Sequence, residues 1–113
     1  MSRLSEKLRK RREVKIKVGK FTFLALRPTD VEAVEIHRKD MQFSEIAARF
    51  VIGWEAVTED DLIGGGVKDE VAFDRDSWEE WCANRADFWT PISEALLAAY
   101  SKHREEQEAA PKN

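Results

Sequence analysis

The sequence predicts an α+β domain in which an N-terminal β-hairpin packs on a mainly helical body of about four helices. Two short apolar runs near the N-terminus are separated by a Gly-Lys pair, which is typical of a hairpin. Farther along the chain, apolar residues recur at the spacing of amphipathic helices. A length of 113 residues with 42% hydrophobic residues suits one domain built around one core.

The hairpin is the first predicted element. Residues 14–18 alternate apolar and polar side chains with a period of two, as a half-buried strand does. The pair Gly19-Lys20 separates this run from a second apolar run at residues 21–26. A two-residue connection that begins with glycine favours a type II′ turn, because the twist of that turn matches the twist of the paired strands.

Two helices are predicted after the hairpin. Pro28 cannot donate a hydrogen bond to a strand ladder and therefore ends the hairpin. Thr29 or Asp30 then caps a helix over residues 31–40. Ser44 caps the second helix, in which five apolar residues fall at or beside helical spacing: Ile46, Ala47, Phe50, Val51 and Trp54.

Residues 55–73 interrupt the helical pattern with acidic residues and three consecutive glycines. We therefore expect a mobile, Gly-rich acidic loop at about residues 58–70. The segment does not match the spacing of a calcium-binding loop. It is also not a phosphate-binding P-loop, because Val67 and Lys68 follow the glycines where that motif needs Lys-Ser or Lys-Thr.

Two further helices complete the predicted body. Asp74 caps a helix that ends near Arg85. Thr90 and Pro91 predict the start of the last helix, since a capping hydroxyl precedes proline at the first helical position. That helix carries one apolar stripe, at Ile92, Ala95, Leu96, Ala99, Tyr100 and His103.

Charge divides the chain unevenly. Residues 1–20 hold nine Lys or Arg and two Glu, a net charge of +7, whereas the rest has a net charge of −10. We expect a basic flexible arm at residues 1–13, a single domain at residues 14–105 and a polar tail at residues 106–113. A basic arm on an acidic body indicates an acidic partner, which is nucleic acid, an acidic protein surface or another copy of this chain.

The sequence does not predict an enzyme. His37 and His103 have no serine or cysteine beside them in a nucleophile motif. Cys82 is the single cysteine, so it forms no internal disulfide and indicates a reducing compartment. We expect no cofactor, no metal and no membrane contact, because the longest apolar run is far too short to span a bilayer. With no signal peptide recognised at the N-terminus, the expected location is the cytoplasm.

Aromatic residues concentrate in one part of the chain. All four tryptophans lie between residues 54 and 89, and a phenylalanine lies beside the last of them. Aromatic side chains supply both core packing and the anchors of protein interfaces. The candidate protein-binding residues are therefore Trp54, Trp78, Trp81, Phe88 and Trp89, with Trp78 and Trp89 expected to be the most exposed.

Four segments together resemble the tail assembly chaperones of long-tailed bacteriophages and prophages. The similarity covers roughly residues 14–105, and its most specific part is a Val-Ile-Gly-Trp-Glu segment followed by an acidic loop. The segments are Leu26-Arg27-Pro28-Thr29-Asp30, residues 48–62, Val71-Ala72-Phe73-Asp74 and Trp89-Thr90-Pro91-Ile92.

The resemblance implies a protein that binds the tape-measure protein and supports polymerisation of the tail-tube protein around it. It implies no cofactor and no catalytic residue, a location in the cytoplasm of the bacterial host, and absence from the mature virion. Self-association along a long client is a further expectation from the charge asymmetry. The alternatives are a structural minor tail or connector protein of the virion, and a small nucleic-acid-binding regulator that uses the basic arm, although the acidic body makes nucleic acid the weaker choice.

Overall fold

A computed structural model describes residues 3–109. Within that range the chain is α+β, as predicted, with a three-stranded antiparallel sheet in the order β1-β2-β3 and six helices rather than about four. The elements are α1 (Arg3–Lys10), β1 (Glu13–Val18), β2 (Phe21–Leu26), α2 (Asp30–Arg38), α3 (Phe43–Phe50), β3 (Val51–Glu55), α4 (Glu59–Ile63), α5 (Arg75–Ala83) and α6 (Ala86–Ala109).

The sheet and the helices share one core. Helices α3, α5 and α6 pack against one another, and α6 also packs on β1. The ring of Phe23, in the central strand, lies 5.1 Å from that of Trp78 and 5.9 Å from that of Phe88. The largest fully buried side chains come from both layers and include Trp78, Phe23, Ile46, Ile92 and Leu96.

The predicted hairpin is confirmed. Strands β1 and β2 pair antiparallel with Val18 opposite Phe21, so two residues connect them. Gly19 has a φ of 59°, whereas Lys20 has no positive φ. A positive φ at only the first of the two turn residues distinguishes a type II′ turn from a type I′ turn. Glycine takes that conformation without steric cost.

Helix α2 begins where its capping residue predicts. The Thr29 hydroxyl accepts a hydrogen bond from the Glu32 amide at 3.1 Å, and the Glu32 carboxylate accepts one from the Thr29 amide at 2.9 Å. This reciprocal capping box satisfies two amides that the helix itself leaves without partners. Asp30 then ties α2 to α6, because its carboxylate accepts a hydrogen bond from the Tyr100 hydroxyl at 3.0 Å.

The predicted helix from Ser44 through Trp54 is wrong beyond Phe50. Helix α3 ends there, and Val51 continues as an extended residue with φ −78° and ψ 128°. The edge of β2 accepts the segment as a third strand, with Phe23 opposite Trp54. Its N-terminal cap is Gln42 rather than Ser44. Strand β3 follows α3 without a loop, and its apolar residues Val51 and Trp54 happen to continue the helical spacing of Ala47 and Phe50. The spacing alone therefore predicted one longer helix.

The guanidinium of Arg75 holds the junction between α3 and β3. It donates to the carbonyl of Ala48 at 2.7 Å and to the carbonyl of Val51 at 2.8 Å. The indole of Trp78 donates to the same Ala48 carbonyl at 3.3 Å. The last carbonyls of a helix have no partner within the helix. Side chains of α5 therefore stabilise the point where the chain changes from helix to strand.

The segment expected to be a loop at residues 58–70 contains helix α4. Thr58 caps this helix, and its hydroxyl accepts a hydrogen bond from the Asp61 amide at 3.1 Å. Beyond the glycines, the Val71 amide donates to the Val57 carbonyl at 2.8 Å, which returns the chain to the body. The expectation was wrong for residues 59–63, because a capping threonine followed by acidic residues is itself a helix start signal. Residues 64–69, which include the three glycines, contain no helix or strand.

Helix α5 is capped by Asp74, as predicted, whereas α6 begins earlier than predicted. It starts at Ala86, and Pro91 lies inside it. Proline at that position removes one hydrogen bond of the helix, the one that would reach the carbonyl of Asp87. Burial of the Phe88 side chain, which is 5% exposed, favours the additional turn.

Both ends of the described chain are helical. Residues 3–10, expected to be flexible, form α1, and all of them are exposed. Residues 106–109, expected to be a polar tail, form the end of α6. Residues 11–12 of the expected arm form a turn, and Glu13 begins β1. Residues 1–2 and 110–113 lie outside the described residues.

Candidate protein-binding cleft

The five aromatic residues predicted to bind a partner lie mainly in the core. Trp78 is fully buried, so the expectation that it is exposed is wrong. Phe88 is also buried, and the other three tryptophans are half-buried. Trp81 lies between Trp78 and Phe88. Its ring centroid is 5.9 Å from that of Trp78 and 4.9 Å from that of Phe88. Trp54 instead packs on Phe73, at 5.0 Å.

Each indole N–H donates to a backbone carbonyl of another segment. The distances range from 2.7 Å for Trp89, which donates to Cys82, to 3.3 Å for Trp78. Trp54 donates to Val71 at 2.8 Å, and Trp81 donates to Leu62 at 2.9 Å. A buried indole needs such a partner. The tryptophans therefore connect segments of the fold, and a role for them in partner binding stays a prediction.

The Cys82 thiol is not part of a reactive site. Its side chain is 1% exposed, and burial raises its pKa to about 11. The thiolate is the nucleophilic form of cysteine, so a raised pKa and a buried position both make the group inert near neutral pH.

A surface cleft lies between helices α4 and α5 and has a volume of about 640 Å³. Its apolar lining comes from Leu62, Ile63 and Trp81. Ile63 is 66% exposed, which is high for a large apolar side chain beside an aromatic ring. The remaining lining residues are polar or charged: Asp76, Ser77, Glu80, Asn84 and Arg85. We call this feature the α4–α5 cleft.

Arg85 occupies one side of the α4–α5 cleft. Its guanidinium lies 4.8 Å from the Trp81 ring centroid and 4.7 Å from that of Phe88. It also pairs with the Asp87 carboxylate at 2.9 Å, and this hydrogen bond raises the pKa of Arg85 above its usual value. The positive charge of Arg85 is therefore already matched by Asp87 and by the faces of two rings.

The rim of the α4–α5 cleft is acidic. Asp76 and Glu80 of α5 are among the lining residues. Arg85, the basic residue of the lining, is already paired with Asp87. An apolar floor with a negative rim suits a ligand that presents apolar side chains flanked by Lys or Arg.

Glycines set the position of Ile63 at the mouth of the cleft. Gly64 ends α4 with a φ of 60°, and Gly65 follows with a φ of 83°, conformations that other residues rarely adopt. The Gly65 amide donates to the Asp60 carboxylate at 2.7 Å. The chain turns after Ile63 and passes that side chain at Gly66, and Ile63 remains 66% exposed. In the sequence, the signal for an exposed Ile63 is its position directly before three glycines.

Lys20 and Asp61 connect the hairpin turn to α4. The Lys20 ammonium lies 2.7 Å from the Asp61 carboxylate. The pKa of Asp61 is lowered to about 2, first by the hydrogen bond from Lys20 and then by the one from the Thr58 amide. The carboxylate form of Asp61 thus stabilises the position of α4 against the sheet.

We expect this contact to make stability depend on pH below about 4. The folded pKa of Asp61 is below its ordinary value of 3.8, so its contribution is fully present above that value and is lost as pH falls toward about 2. Urea unfolding of the wild type and of Asp61→Asn, measured from pH 6 to pH 2, tests this. The difference in the free energy of unfolding shrinks as pH falls. The exposed Asp69→Asn is the control, and a difference that is constant over the range contradicts the prediction.

A larger groove, of about 950 Å³, lies between α1, the end of β2 and α6. Its lining is mostly charged and includes Arg9, Arg12, Arg27 and Lys102. Burial lowers the pKa of Arg27, and the neighbouring Arg12 lowers it further. A cationic groove of this kind does not suit an apolar helix. We therefore take the smaller α4–α5 cleft as the candidate site.

Neither histidine lies in a catalytic arrangement. His37 is exposed, and His103 lies 3.5 Å from Asp30 at the α2–α6 contact. Residues 3–109 contain no group of three or more His, Cys, Asp or Glu placed to hold a metal ion. Among the same residues, no helix has the length and apolar character that a membrane span requires.

Comparisons of the chain with protein-family models, with curated proteins and with solved structures found no match. The fold and the α4–α5 cleft define a small α+β domain with an apolar, acid-rimmed surface cleft.

Proposed function

We propose that the protein is a tail assembly chaperone that binds helical segments of a phage tape-measure protein in the α4–α5 cleft. The observation that carries the proposal is the exposure of Ile63 beside the half-buried Trp81, between helices with an acidic rim. The resemblance of the sequence to that family supplies the identity of the client. The tail-tube protein is the partner that polymerises around the client after it has been held soluble.

The cleft suits a helix better than an extended peptide. A helix places apolar side chains three or four residues apart on one face, and two such side chains span the apolar floor between α4 and α5. An extended peptide gains most of its affinity from an open sheet edge, and the cleft is bounded by helices. Lys or Arg residues beside the apolar face of the client pair with Asp76 and Glu80.

The small apolar area fits a reversible interaction. The apolar lining comes from three side chains, so each contact is weak compared with a permanent interface. A chaperone that leaves before the tail is complete needs such contacts, repeated along the client. Location in the cytoplasm of the bacterial host and absence from the mature virion belong to the same proposal.

We expect Ile63→Lys to weaken client binding by about tenfold, because it removes the exposed apolar anchor and repels a basic client. The test is co-expression with the candidate tape-measure protein, scored by the soluble fraction of the client and by pull-down. Val31→Lys is the matched control, since Val31 is 80% exposed on α2, away from the cleft lining. Equal client solubility with both variants contradicts the proposed site.

A nucleic-acid-binding regulator is the second candidate, and the cationic groove beside α1 favours it. Phosphate contacts by Lys and Arg give an affinity that falls steeply with salt. Binding of duplex DNA that weakens with salt and is lost in Arg9→Glu/Arg11→Glu supports this candidate against the chaperone. Detection of the chain in purified virions supports a structural tail component instead.

A further inference from the structure

Helix α1 presents an apolar pair that the rest of its own chain covers only in part, since Leu8 also lines the cationic groove beside α6. None of its eight residues is buried. Leu4 is 65% exposed and Leu8 is 56% exposed. Residues four apart lie on one face of a helix, so the two leucines form a single apolar strip one turn long. Exposed apolar side chains at this spacing are the pattern of a helix that docks in a groove.

The charge of α1 matches the α4–α5 cleft. Four of its eight residues are Lys or Arg and one is Glu, a net charge of +3. The cleft has an apolar floor, and the acidic residues Asp76 and Glu80 of α5 line it. An apolar strip with basic flanks is therefore complementary to this cleft in both polarity and charge.

Helix α1 and the cleft occupy different places on the body. Strand β1 runs away from α1 for six residues, about 20 Å, to the hairpin turn. At that turn Lys20 pairs with Asp61 of α4. Helix α6 runs between the same two places, because Arg85 and Phe88 near its start lie against Trp81, whereas Lys102 and His103 line the groove beside α1. No residue of α1 is among those that line the cleft of its own chain.

We propose that α1 of one copy docks in the α4–α5 cleft of a second copy, with Leu4 and Leu8 against Leu62, Ile63 and Trp81. The contact joins two different surfaces, so a pair of copies retains one free α1, on one copy, and one free cleft, on the other. Such a heterologous interface adds further copies head to tail. This inference does not depend on which client the cleft takes.

The same cleft then has two competing ligands. A helix of the client and α1 of another copy both present apolar side chains with basic flanks, so binding of one excludes the other. Self-association covers the cleft of the free protein and is reversed by a client that binds more tightly. The small contact makes this association weak, dependent on concentration and weakened by salt.

Sedimentation velocity of the full chain at increasing concentration tests the proposal. The wild type gains mass with concentration and loses it again in high salt. Leu4→Glu/Leu8→Glu removes the docking helix, and Ile63→Lys blocks the cleft. Each variant alone is a monomer. Leu4, Leu8 and Ile63 are all exposed, so we expect the variants to fold. Circular dichroism of each variant is the check.

The decisive sample is an equimolar mixture of the two variants. The Ile63→Lys copy retains its α1, and the Leu4→Glu/Leu8→Glu copy retains its cleft, so the mixture forms one-to-one dimers and nothing larger. Val31→Lys associates as the wild type does. A wild type that stays monomeric, a variant that still associates alone, or a mixture that stays monomeric overturns the proposal.

The client assay separates this result from the proposed function. Leu4→Glu/Leu8→Glu leaves the cleft intact, so it still keeps the tape-measure protein soluble if the protein is a chaperone. Loss of self-association with full client binding supports both proposals. Self-association that follows the mixing pattern, in a protein that binds no client, supports the α1 contact and overturns the chaperone.

Discussion

Trp78→Ala is expected to lower the free energy of unfolding by about 3–5 kcal/mol. Trp78 is fully buried, and its ring lies between those of Phe23 and Trp81, at 5.1 and 5.9 Å. Alanine leaves a large cavity where the sheet meets the helices, and it removes the hydrogen bond to the Ala48 carbonyl. Because small domains have a total stability of about 5–15 kcal/mol, the loss leaves a substantial unfolded population.

Urea unfolding followed by circular dichroism measures this effect. Trp78→Phe retains most of the apolar volume and is expected to lose less than half as much stability as the alanine variant. Val31→Ala, on the exposed face of α2, changes stability by less than about 0.5 kcal/mol. A loss below about 1 kcal/mol for Trp78→Ala shows that the ring does not hold the two layers together.

Arg75→Met is expected to lower the free energy of unfolding by about 2 kcal/mol. The guanidinium donates to the carbonyls of Ala48 and Val51, at the residues where α3 gives way to β3. Methionine keeps the stem but removes both donors. The side chain is 41% exposed, so water replaces part of the lost interaction and keeps the effect below that of a buried charge.

A lysine at position 75 separates charge from geometry. Arg75→Lys keeps the positive charge, but one ammonium does not reproduce the planar fork that reaches two carbonyls. We expect it to lose nearly as much stability as Arg75→Met. Arg38→Met, on exposed α2, is the matched control and changes stability little. Full stability of Arg75→Lys indicates that charge alone supports the junction.

Local signals in the sequence predicted the elements whose cause is local. The Gly19-Lys20 pair gives the hairpin turn, since only the first turn position needs a positive φ. Thr29 and Asp74 cap α2 and α5 through their own side-chain oxygens. Each capping hydrogen bond joins residues three apart in the sequence, so it does not require contacts with distant parts of the chain.

The third strand was not predictable in the same way. Residues 47–54 carry apolar side chains at helical spacing, and the spacing was interpreted as one helix. The chain leaves the helix at Val51 because β2 has an open edge beside it and because Arg75, far along the sequence, binds the carbonyls at the junction. Neither cause is visible in the local sequence.

The candidate site also depended on distant contacts. The concentration of tryptophans predicted a binding surface, but the indoles donate to backbone carbonyls, and Trp81 is the one tryptophan that lines the cleft. Ile63, the most exposed apolar side chain of the cleft, lies at the end of a glycine-capped helix in a segment that was expected to be a loop.

The sequence by itself determined the α+β class, the hairpin, two of the helix starts and the charge asymmetry, because turns, caps and net charge depend on neighbouring residues or on composition alone. The tertiary structure decided that tryptophans connect segments of the core, that β3 completes the sheet, and that no residue of α1 lines the α4–α5 cleft. Those features depend on contacts between segments that are distant in the sequence, because the burial of a side chain and the pairing of a strand both require a second element.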